Sequence, residues 1–288
     1  MNAVILAAGR GIRLRPLTDQ LPKPLLPVFD RPILGHIVGR LRQAGIRSIG
    51  VNLCYKAQAI HRYLTSYPDV QTVVEKTAGD TGAPLKYFRD ILTGDFLVHN
   101  CDFISDIDIR AVISFHRRRR ALATWVLVKN PGTDLVSLRD DRITGLHGRT
   151  DRRCWTFTGL AIYSDRLFDY FPDRPRFGIK EPIRRALRER QVILGFRWRG
   201  FWRDIGTPRA YWRLHADLMR PSRSYISPTS QVRTNLLRGF YCIGDGCYLG
   251  PKVSLQDTVV LPGTRIVSGR YTSCVIGHRF IWRYRGSF

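Results

Sequence analysis

The chain is 288 residues long, and 44% of its residues are hydrophobic and 24% charged. This composition is typical of a globular protein and excludes a mainly disordered, collagen-like or coiled-coil chain. The 47 basic and 23 acidic side chains give a formal net charge of +24, which favours an anionic partner such as a polyphosphate, a nucleic acid or an acidic membrane surface.

Apolar runs such as residues 3–8 are far shorter than the roughly 20 residues needed to span a bilayer. The N-terminus has no basic segment followed by an apolar one, so we expect a cytoplasmic protein without a membrane segment. The six cysteines form no C-x-x-C pair and the seven histidines no metal-binding spacing. We therefore expect reduced, mostly buried thiols.

Forty of the 47 basic residues are arginines, and they are spread along the chain. Only His116–Arg120 and Arg184–Arg190 are dense, and both segments have the pattern of an amphipathic helix with a solvated basic face. No aromatic-rich RNA motif or helix-turn-helix pattern accompanies the charge. The sequence therefore gives no support for a nucleic acid as partner.

The part of the chain up to Val128 alternates short apolar runs with segments of helical periodicity, which predicts a parallel sheet covered by helices on both faces. The predicted strands are Ala3–Leu6, Ile49–Asn52, Thr72–Val74, Phe96–His99 and Leu122–Val128. The predicted helices are Ile33–Ala44, Ala57–Leu64 and Ile107–Arg118.

Residues 136–196 mix shorter strands with further helices. We predict strands over Thr156–Ser164 and Val192–Phe196, and helices over Arg166–Phe171 and Ile179–Arg190. A last helix over Pro208–Met219 should end before Pro221, because proline cannot continue a helix.

A hexapeptide period replaces this pattern after Ser222. Aliphatic residues recur six apart at Ile243, Leu249, Leu255, Leu261 and Val267, with Cys247, Val253 and Val259 four positions after the first three. Such hexapeptide repeats predict a β-helix, in which each six-residue edge turns one aliphatic side chain inward; a chance alternation in a β-rich tail is the alternative. The tail makes only two or three coils, which need the main domain or another subunit to cover their ends. We predict two domains, 1–221 and 222–288, and a homo-oligomer.

The segment after the first strand is rich in small residues and prolines. It reads LAAGRGIRLRPLT over residues 6–18 and LPKPLLPV over residues 21–28. Small residues at the carboxyl end of a strand let the backbone approach a ligand, and their N–H groups can bind phosphates. The dinucleotide fingerprint does not fit, because Leu14 stands where it needs glycine, and no P-loop motif occurs. The segment instead combines a glycine loop with two cations, Arg13 and Lys23.

These two segments resemble the signature of the sugar-1-phosphate nucleotidylyltransferases. The resemblance continues in order over roughly residues 2–215 and includes Glu75, Thr81–Gly82, Asn100–Asp102, Phe157–Gly159 and Trp202–Pro208. The compact spacing looks most like the group of N-acetylmuramate 1-phosphate uridylyltransferases and heptose or mannose 1-phosphate guanylyltransferases. The hexapeptide tail resembles the C-terminal β-helices that many members carry.

The resemblance implies an α/β fold, a Rossmann-like nucleotidyltransferase domain of the GT-A type with a mixed sheet, followed by a short left-handed parallel β-helix. It implies transfer of a nucleoside monophosphate from an NTP to a sugar 1-phosphate, which gives an NDP-sugar and pyrophosphate. These two substrates would be the partners, and Mg²⁺ the cofactor.

The resemblance also assigns roles to residues of this chain. The nucleotide would lie over Leu6, Ala7, Ala8, Gly9, Gly11, Thr81 and Gly82. Arg13 and Lys23 would be the catalytic cations that neutralise the triphosphate and the leaving pyrophosphate. Asn100, Gly159 and Lys180 would bind the sugar phosphate, and Asp102 and Asp204 would share the metal ion. Catalysis would consist of positioning and electrostatic stabilisation of an in-line attack, without a covalent intermediate.

Several positions depart from the family pattern. Ile12 stands where the family usually has threonine, and Cys101 and Ala83 stand where it usually has glycine. The glutamate-lysine-proline segment of larger members is absent from residues 146–150. These departures leave open a catalytically weak or inactive regulatory subunit that binds nucleotide sugars. Ala8 favours uridylyl or thymidylyl over guanylyl transfer only slightly, so the base stays open, as does the sugar.

Each assigned residue also has a simpler interpretation. Arg13 could be one surface arginine among forty, and Lys180 a solvated lysine in the first turn of a helix. Asp102 could cap the next helix or close a turn. Asp204 could be a turn aspartate before a glycine. Acyl transfer by the tail is not favoured, because the repeat is short and the preceding domain accounts for a complete enzyme.

Overall fold

The computed structural model describes residues 1–77, 80–129, 135–147, 154–219 and 224–286. The α-helices are α1 (Leu17–Gln20), α2 (Ile33–Gln43), α3 (Ala57–Leu64), α4 (Ile109–Arg119), α5 (Lys180–Arg188) and α6 (Pro208–Leu218). The strands up to the middle of the chain are β1 (Asn2–Leu6), β2 (Pro27–Val28), β3 (Arg31–Pro32), β4 (Ile49–Leu53), β5 (Val70–Val74), β6 (Asp95–Asn100), β7 (Phe103–Ser105), β8 (Ala123–Val128), β9 (Leu135–Arg139) and β10 (Arg142–His147). The later strands are β11 (Trp155–Ser164), β12 (Ile193–Trp198), β13 (Trp202–Asp204), β14 (Tyr225–Ile226), β15 (Gln231–Val232), β16 (Leu237–Ile243), β17 (Tyr248–Val260), β18 (Arg265–Gly277) and β19 (Phe280–Arg283).

The chain divides into two compact units. The first comprises Met1–Gly9 and Ile37–Trp202, and the second comprises Arg10–His36 and Arg203–Phe288. The chain thus leaves the first unit inside the glycine loop and returns to it within α2. The predicted domain boundary between residues 221 and 222, and the predicted helix end at Pro221, lie outside the described residues.

The first unit is built on a nine-stranded sheet in the order β5-β4-β1-β6-β11-β8-β12-β10-β9. The first four of these strands are parallel, so their carboxyl ends meet at one edge, where Leu6 pairs with Asn52 and Asn100. We predicted a parallel sheet that continues through Leu122–Val128; instead β11 lies antiparallel between β6 and β8. The apolar run of β8 predicts its burial but not its neighbours, and the sheet is therefore mixed.

Central strands of the first unit, such as β1 and β8, are covered on both faces of the sheet. Ala3, Val4 and Ile5 are completely buried in β1, and every residue of β8 is buried. Continuous apolar runs of this kind are typical of strands covered on both faces. One predicted helix is different: Arg166–Phe171 is a short 3-10 helix over Asp165–Tyr170. It ends there because Phe171 precedes a proline, which disfavours helical backbone.

The cysteines agree with the expectation of reduced, mostly buried thiols. All six cysteines are free thiols, and all but the half-buried Cys54 are buried. In the described part of the chain, no helix combines the length and the apolar character needed to cross a membrane.

Residues 224–286, which we call the tail, form a stack of strands in the second unit that are parallel up to β18. Tyr225 pairs with Cys242 and Tyr248 pairs with Arg265. The partners in each pair are 17 residues apart in the sequence. Thr229 and Gly246 are also 17 residues apart, and the Gly246 N–H donates to the Thr229 hydroxyl. In the second half of β17 the offset shortens to 16, as between Thr258 and Cys274. We call each stretch of 16 or 17 residues that brings the chain back to the next strand of the stack a rung.

The predicted inward positions of the tail are buried, with one exception. The completely or almost completely buried residues are Ile243, Cys247, Leu249, Val253, Leu255, Val259 and Leu261. Val267 is 64% exposed, so its assignment was wrong, and Ile266 is the inward residue. The reason is the length of the rung: Leu249 pairs with Ile266, whereas three strict hexapeptides would have placed Val267 beside it.

The last strand reverses direction. β19 pairs antiparallel with the end of β18, with Gly277 opposite Phe280 and Cys274 opposite Arg283. It covers only residues 274–277 of β18, so the parallel stack ends in a short antiparallel strand.

The change Leu255→Asp is expected to unfold the tail. Leu255 is completely buried among the aliphatic side chains of neighbouring rungs. Its truncation alone should cost about 2 to 5 kcal/mol, and a buried unpaired carboxylate adds to that cost. Thermal melting and size-exclusion chromatography measure the effect. Val267→Asp, at the exposed position of the same stack, is the matched control and should leave both unchanged. Equal melting of the two variants would contradict the inward position of Leu255.

Candidate active site

A cavity of about 270 Å³ lies in the first unit at the carboxyl ends of its parallel strands. Five residues predicted from the sequence line it: Leu6, Thr81, Asn100, Gly159 and Lys180. The apolar part of its wall consists of Leu6, Val98, Phe157, Ala161, Tyr163 and Ile179. The carboxyl edge of a parallel sheet is the usual place for a ligand in α/β folds. The cavity is therefore the candidate substrate site of the first unit.

The first part of the glycine loop is held by a buried polar chain. The Ala7 N–H donates to Asn52 Oδ1 at 2.8 Å, and Asn52 Nδ2 donates to Glu75 Oε1 at 2.5 Å. Glu75, which is only 7% exposed, fixes the orientation of the Asn52 amide by accepting from its nitrogen. Ala8 is buried and Gly9 is exposed. Asn52 was not predicted as a site residue, although a polar residue near the end of an otherwise apolar strand was the available signal.

Thr81 and Gly82 pack directly against the segment that leads into α5. Thr81 Oγ1 accepts from the Ile179 N–H at 3.1 Å, and the Gly82 N–H donates to the Phe177 carbonyl at 3.1 Å. A Cβ atom at Gly82 would lie 2.6 Å from the Phe177 ring, so no larger residue fits without movement. These contacts bring Thr81 and Lys180, the first residue of α5, to the same cavity wall.

Gly159 lies at an irregularity of β11. The pairing register between β11 and β8 shifts between Phe157 and Ala161, and Gly159 has a φ of +90°. Only glycine adopts this conformation readily. A Cβ atom there would lie 2.9 Å from Asn100 Cβ. The shift thus lets the backbone of β11 approach Asn100 closely at the cavity wall.

Asp102 follows β6 by two positions and is half-buried. The Cys101 N–H donates to the Leu6 carbonyl at 3.0 Å, which keeps the segment next to β1. The helix-cap interpretation of Asp102 is wrong, because Asp108 is the N-cap of α4 and its Oδ1 accepts from the Ala111 N–H at 3.0 Å. The cap also explains why α4 begins at Ile109 rather than at Ile107 as predicted.

The other predicted residues, Gly11, Arg13, Lys23 and Asp204, belong to the second unit. Gly11 has a φ of +61° and its carbonyl accepts from Thr18 Oγ1 at 2.9 Å. A Cβ atom at Gly11 would lie 3.5 Å from Lys23 Cβ. Lys23 therefore packs beside the turn at Gly11, where the flanking prolines restrict its backbone.

Arg13 and Asp204 converge over one glycine. Asp204 Oδ2 accepts from the Gly206 N–H at 2.9 Å. A Cβ atom at Gly206 would lie 2.7 Å from that oxygen and 3.4 Å from Arg13 Nη2. Asp204 therefore stabilises a turn before a glycine, as its simpler interpretation predicted. The same geometry brings the guanidinium of Arg13 to the carboxylate side of the turn.

The predicted metal ligands, Asp102 and Asp204, lie in different units, and their sharing of one ion stays a prediction. Within the described residues, no group of three or more histidine, cysteine or acidic side chains could hold a metal. Two carboxylates nevertheless fit Mg²⁺, because this ion prefers oxygen ligands and completes its shell with phosphate oxygens and water.

His99 is a buried neutral imidazole in β6. Burial lowers the pKa of His99 to about 4. Its Nδ1 lies 2.6 Å from the Asn100 carbonyl, which as an acceptor fixes the proton on Nδ1. The ring stacks on Phe103 at a centroid distance of 4.4 Å. In the second unit, burial likewise lowers the pKa of His215 to about 4.

The free energy of unfolding is expected to fall as the pH is lowered from about 6.5 towards about 4. The pKa of His99 is about 4 in the folded protein and returns to its ordinary value of 6.5 on unfolding, so the unfolded chain binds more protons in this window. Melting curves at several pH values measure the slope. His99→Phe keeps the ring stack and should make the slope shallower, whereas the same change at the exposed His61 should not. Identical slopes for both variants would contradict the assignment.

Known proteins are similar to this chain over nearly its whole length. A family model described as nucleotidyl transferase matches residues 2–134. A mannose-1-phosphate guanylyltransferase of Mycobacterium tuberculosis is 27% identical over 305 residues, which cover 96% of this chain and 83% of that protein. A UTP-glucose-1-phosphate uridylyltransferase of Synechocystis is 25% identical over 332 residues, which cover 99% and 83%.

A further relative is similar over a shorter part of the chain, and a solved structure shares the fold. A mannose-1-phosphate guanyltransferase of Candida albicans is 31% identical over 229 residues, which cover 73% of this chain and 62% of that protein. The crystal structure of a putative glucose-1-phosphate thymidylyltransferase from Bacillus anthracis has a TM-score of 0.67 and 24% identity, and covers 77% of this chain and 96% of that one. This likeness concerns the fold, a mixed α/β nucleotidyltransferase fold.

Proposed function

Because the chain belongs to the sugar-1-phosphate nucleotidyltransferase family, we propose that it transfers a nucleoside monophosphate from an NTP to a sugar 1-phosphate. The products are an NDP-sugar and pyrophosphate. The observation that carries this proposal is the cavity at the carboxyl ends of the parallel strands, lined by Leu6, Thr81, Asn100, Gly159 and Lys180. These are residues that the sequence signature identifies independently of the structure.

The first unit supplies the groups that bind and orient both substrates. The backbone of Leu6, Ala7, Ala8 and Gly9 borders the nucleotide, and the chain Ala7–Asn52–Glu75 holds this backbone in place. Lys180 attracts the phosphate of the sugar, since its ammonium group is a point charge on the cavity wall. Asn100 and Gly159 border the sugar phosphate beside it. Orientation of the attacking oxygen towards the α-phosphorus is then the main catalytic contribution of this unit.

The second unit supplies the cations for the triphosphate. Arg13 offers a planar guanidinium that can bind two phosphate oxygens, and Lys23 offers a compact charge on a backbone restrained by prolines. As the α-phosphorus is attacked, negative charge builds on the leaving pyrophosphate. Fixed cations at this position stabilise the transition state more than the ground state.

Asp102 and Asp204 are proposed as the residues that hold Mg²⁺. When bound, the ion neutralises phosphate charge and orients the phosphate oxygens. Carboxylate oxygens are suitable ligands for this ion. The hydrogen bond from the Gly206 N–H fixes the orientation of the Asp204 carboxylate.

The finer description of the fold also belongs to this proposal. We propose a Rossmann-like domain of the GT-A type followed by a short left-handed β-helix in the tail. The parallel register of the rungs and the inward aliphatic side chains support the β-helix; its handedness rests on the family resemblance. A homo-oligomer is proposed because a β-helix of a few coils needs a neighbour to cover its ends. A cytoplasmic location is proposed as expected from the sequence, and no nucleic-acid partner is proposed.

A screen of pyrophosphate release tests the function. ATP, CTP, GTP, UTP and dTTP are each combined with a panel of hexose and heptose 1-phosphates in the presence of Mg²⁺. Release with one NTP and one sugar class identifies the substrates. NTP binding without release from any pair would contradict the proposal and favour a regulatory subunit, for which the comparisons give no support, since the named relatives are transferases.

A further inference from the structure

Gln20, the last residue of α1, joins the glycine loop to the tail inside the second unit. Its Nε2 donates to the Pro262 carbonyl at 2.9 Å, and its Oε1 accepts from the His278 N–H at 2.9 Å. Both partners are backbone groups of the tail. The Gln20 side chain therefore forms hydrogen bonds to the tail through both its amide nitrogen and its amide oxygen.

The two backbone partners belong to successive rungs of the stack. Leu261, beside Pro262, donates its N–H to the Ile276 carbonyl at 2.8 Å, so the two turns lie next to each other. A Cβ atom at Gly277 would lie 2.5 Å from Gln20 Oε1. The amide of Gln20 thus fits between two rungs, in a space that the absence of a side chain at Gly277 provides.

The other end of α1 contacts the glycine loop. Thr18 is completely buried, and its Oγ1 donates to the Gly11 carbonyl at 2.9 Å. Gly11 precedes the 3-10 helix Ile12–Leu14, which carries Arg13. A continuous set of contacts therefore runs from the tail through Gln20, α1 and Thr18 to the loop.

The length of α1 makes these contacts necessary. It has only four residues, and a single helical turn does not form alone because nucleation is unfavourable. Its order comes from tertiary contacts at both ends. Loss of the Gln20 hydrogen bonds should therefore reduce the order of the loop as well as that of α1.

We propose that the tail orders the glycine loop. Gln20 is the positioning residue through which two rungs hold this loop together with Arg13 and Lys23. This inference rests on the proposed function for the two cations. If the loop is ordered only part of the time, the apparent affinity for the triphosphate falls by that fraction, whereas turnover at saturation does not.

The test uses the full-length protein and three variants. Gln20→Leu removes both hydrogen bonds, Gln20→Glu keeps the acceptor for His278 and removes the donor to Pro262, and Asp19→Asn changes the exposed neighbour as a matched control. The KM values for NTP, and for pyrophosphate in the reverse reaction, should rise about tenfold in Gln20→Leu and should also rise in Gln20→Glu, whose carboxylate oxygen faces the Pro262 carbonyl without a proton to donate. The kcat value should change little, and Asp19→Asn should match the wild type.

Hydrogen exchange of residues 10–26 in the free protein gives a second readout that requires no activity. Gln20→Leu and Gln20→Glu should both exchange faster there than the wild type, because each lacks the donor to the Pro262 carbonyl. Unchanged exchange and unchanged KM values in Gln20→Leu would overturn the inference. A kcat loss at constant KM would also overturn it. If the wild type releases no pyrophosphate, the proposed function fails, and the exchange data alone decide whether Gln20 orders the loop.

Discussion

Replacement of Asp102 or Asp204 by alanine is expected to abolish Mg²⁺-dependent pyrophosphate release. Each carboxylate is a proposed ligand of the ion, and the loss of a metal ligand removes several kcal/mol of transition-state stabilisation. At about 1.36 kcal/mol per factor of ten, turnover should fall by roughly a thousandfold or more. Initial rates measured over a range of Mg²⁺ concentrations check this result. Asp90→Ala, at an exposed aspartate of the first unit, should retain normal turnover.

Asp204→Asn separates the two roles of Asp204. Its amide oxygen can still accept from the Gly206 N–H, which Asp204 Oδ2 does at 2.9 Å, so the turn should keep its shape. Its neutral amide is a poorer ligand for a hard cation. Normal melting with strongly reduced turnover is therefore expected. Near-normal turnover would mean that Asp204 serves only the turn, and the assignment of the second metal ligand would be wrong.

Arg13→Ala and Lys23→Ala are each expected to reduce kcat/KM by about two orders of magnitude or more. Removal of one charge from a net charge of +24 hardly changes the long-range field of the protein. Removal of a cation that contacts phosphate deletes a charge-assisted interaction of about 1.5 to 3 kcal/mol, and more in the transition state. Steady-state kinetics with the best substrate pair measures the loss.

Two arginines of exposed helix faces serve as controls for basicity alone. Arg118 in α4 and Arg188 in α5 are exposed, and their replacement by alanine should leave kcat/KM nearly unchanged. Comparable losses in all four variants would mean that the whole basic surface matters. The proposal of a localised triphosphate site would then have to be abandoned.

Much of the fold could be predicted because the periodicity of apolar residues indicates which side of a helix or strand is buried. The helix over Ala57–Leu64 has the predicted bounds, and the strand predicted at Ile49–Asn52 ends one position later, at Leu53. The position of β11 between β6 and β8 could not be predicted, since an apolar run does not specify which strands lie beside it. The tail shows the same limit at Val267: a period of six places it inward, but the shorter rung turns Ile266 inward instead.

The candidate site was predictable where a motif has a fixed backbone requirement. Gly82 and Gly159 fit this description, because a Cβ atom at either would collide with a neighbouring segment. Asn52 and Gln20 were not predictable in this way. Each acts through a partner distant in sequence, Ala7 for Asn52 and Pro262 for Gln20. Such contacts depend on the tertiary arrangement, which local patterns do not contain.

The reversal of β19 closes part of the last edge of the tail. The last strand of a parallel stack offers unpaired N–H and C=O groups, and such an edge can accept an incoming strand of a second molecule, as in a growing fibre. β19 pairs with residues 274–277 of β18 in the opposite direction, so this part of the edge is covered by a strand of the same chain. Arg283 within β19 also brings a positive charge to this edge, and charged side chains on an edge strand oppose pairing with another chain. β19 thus protects this part of the last rung from pairing with a second molecule.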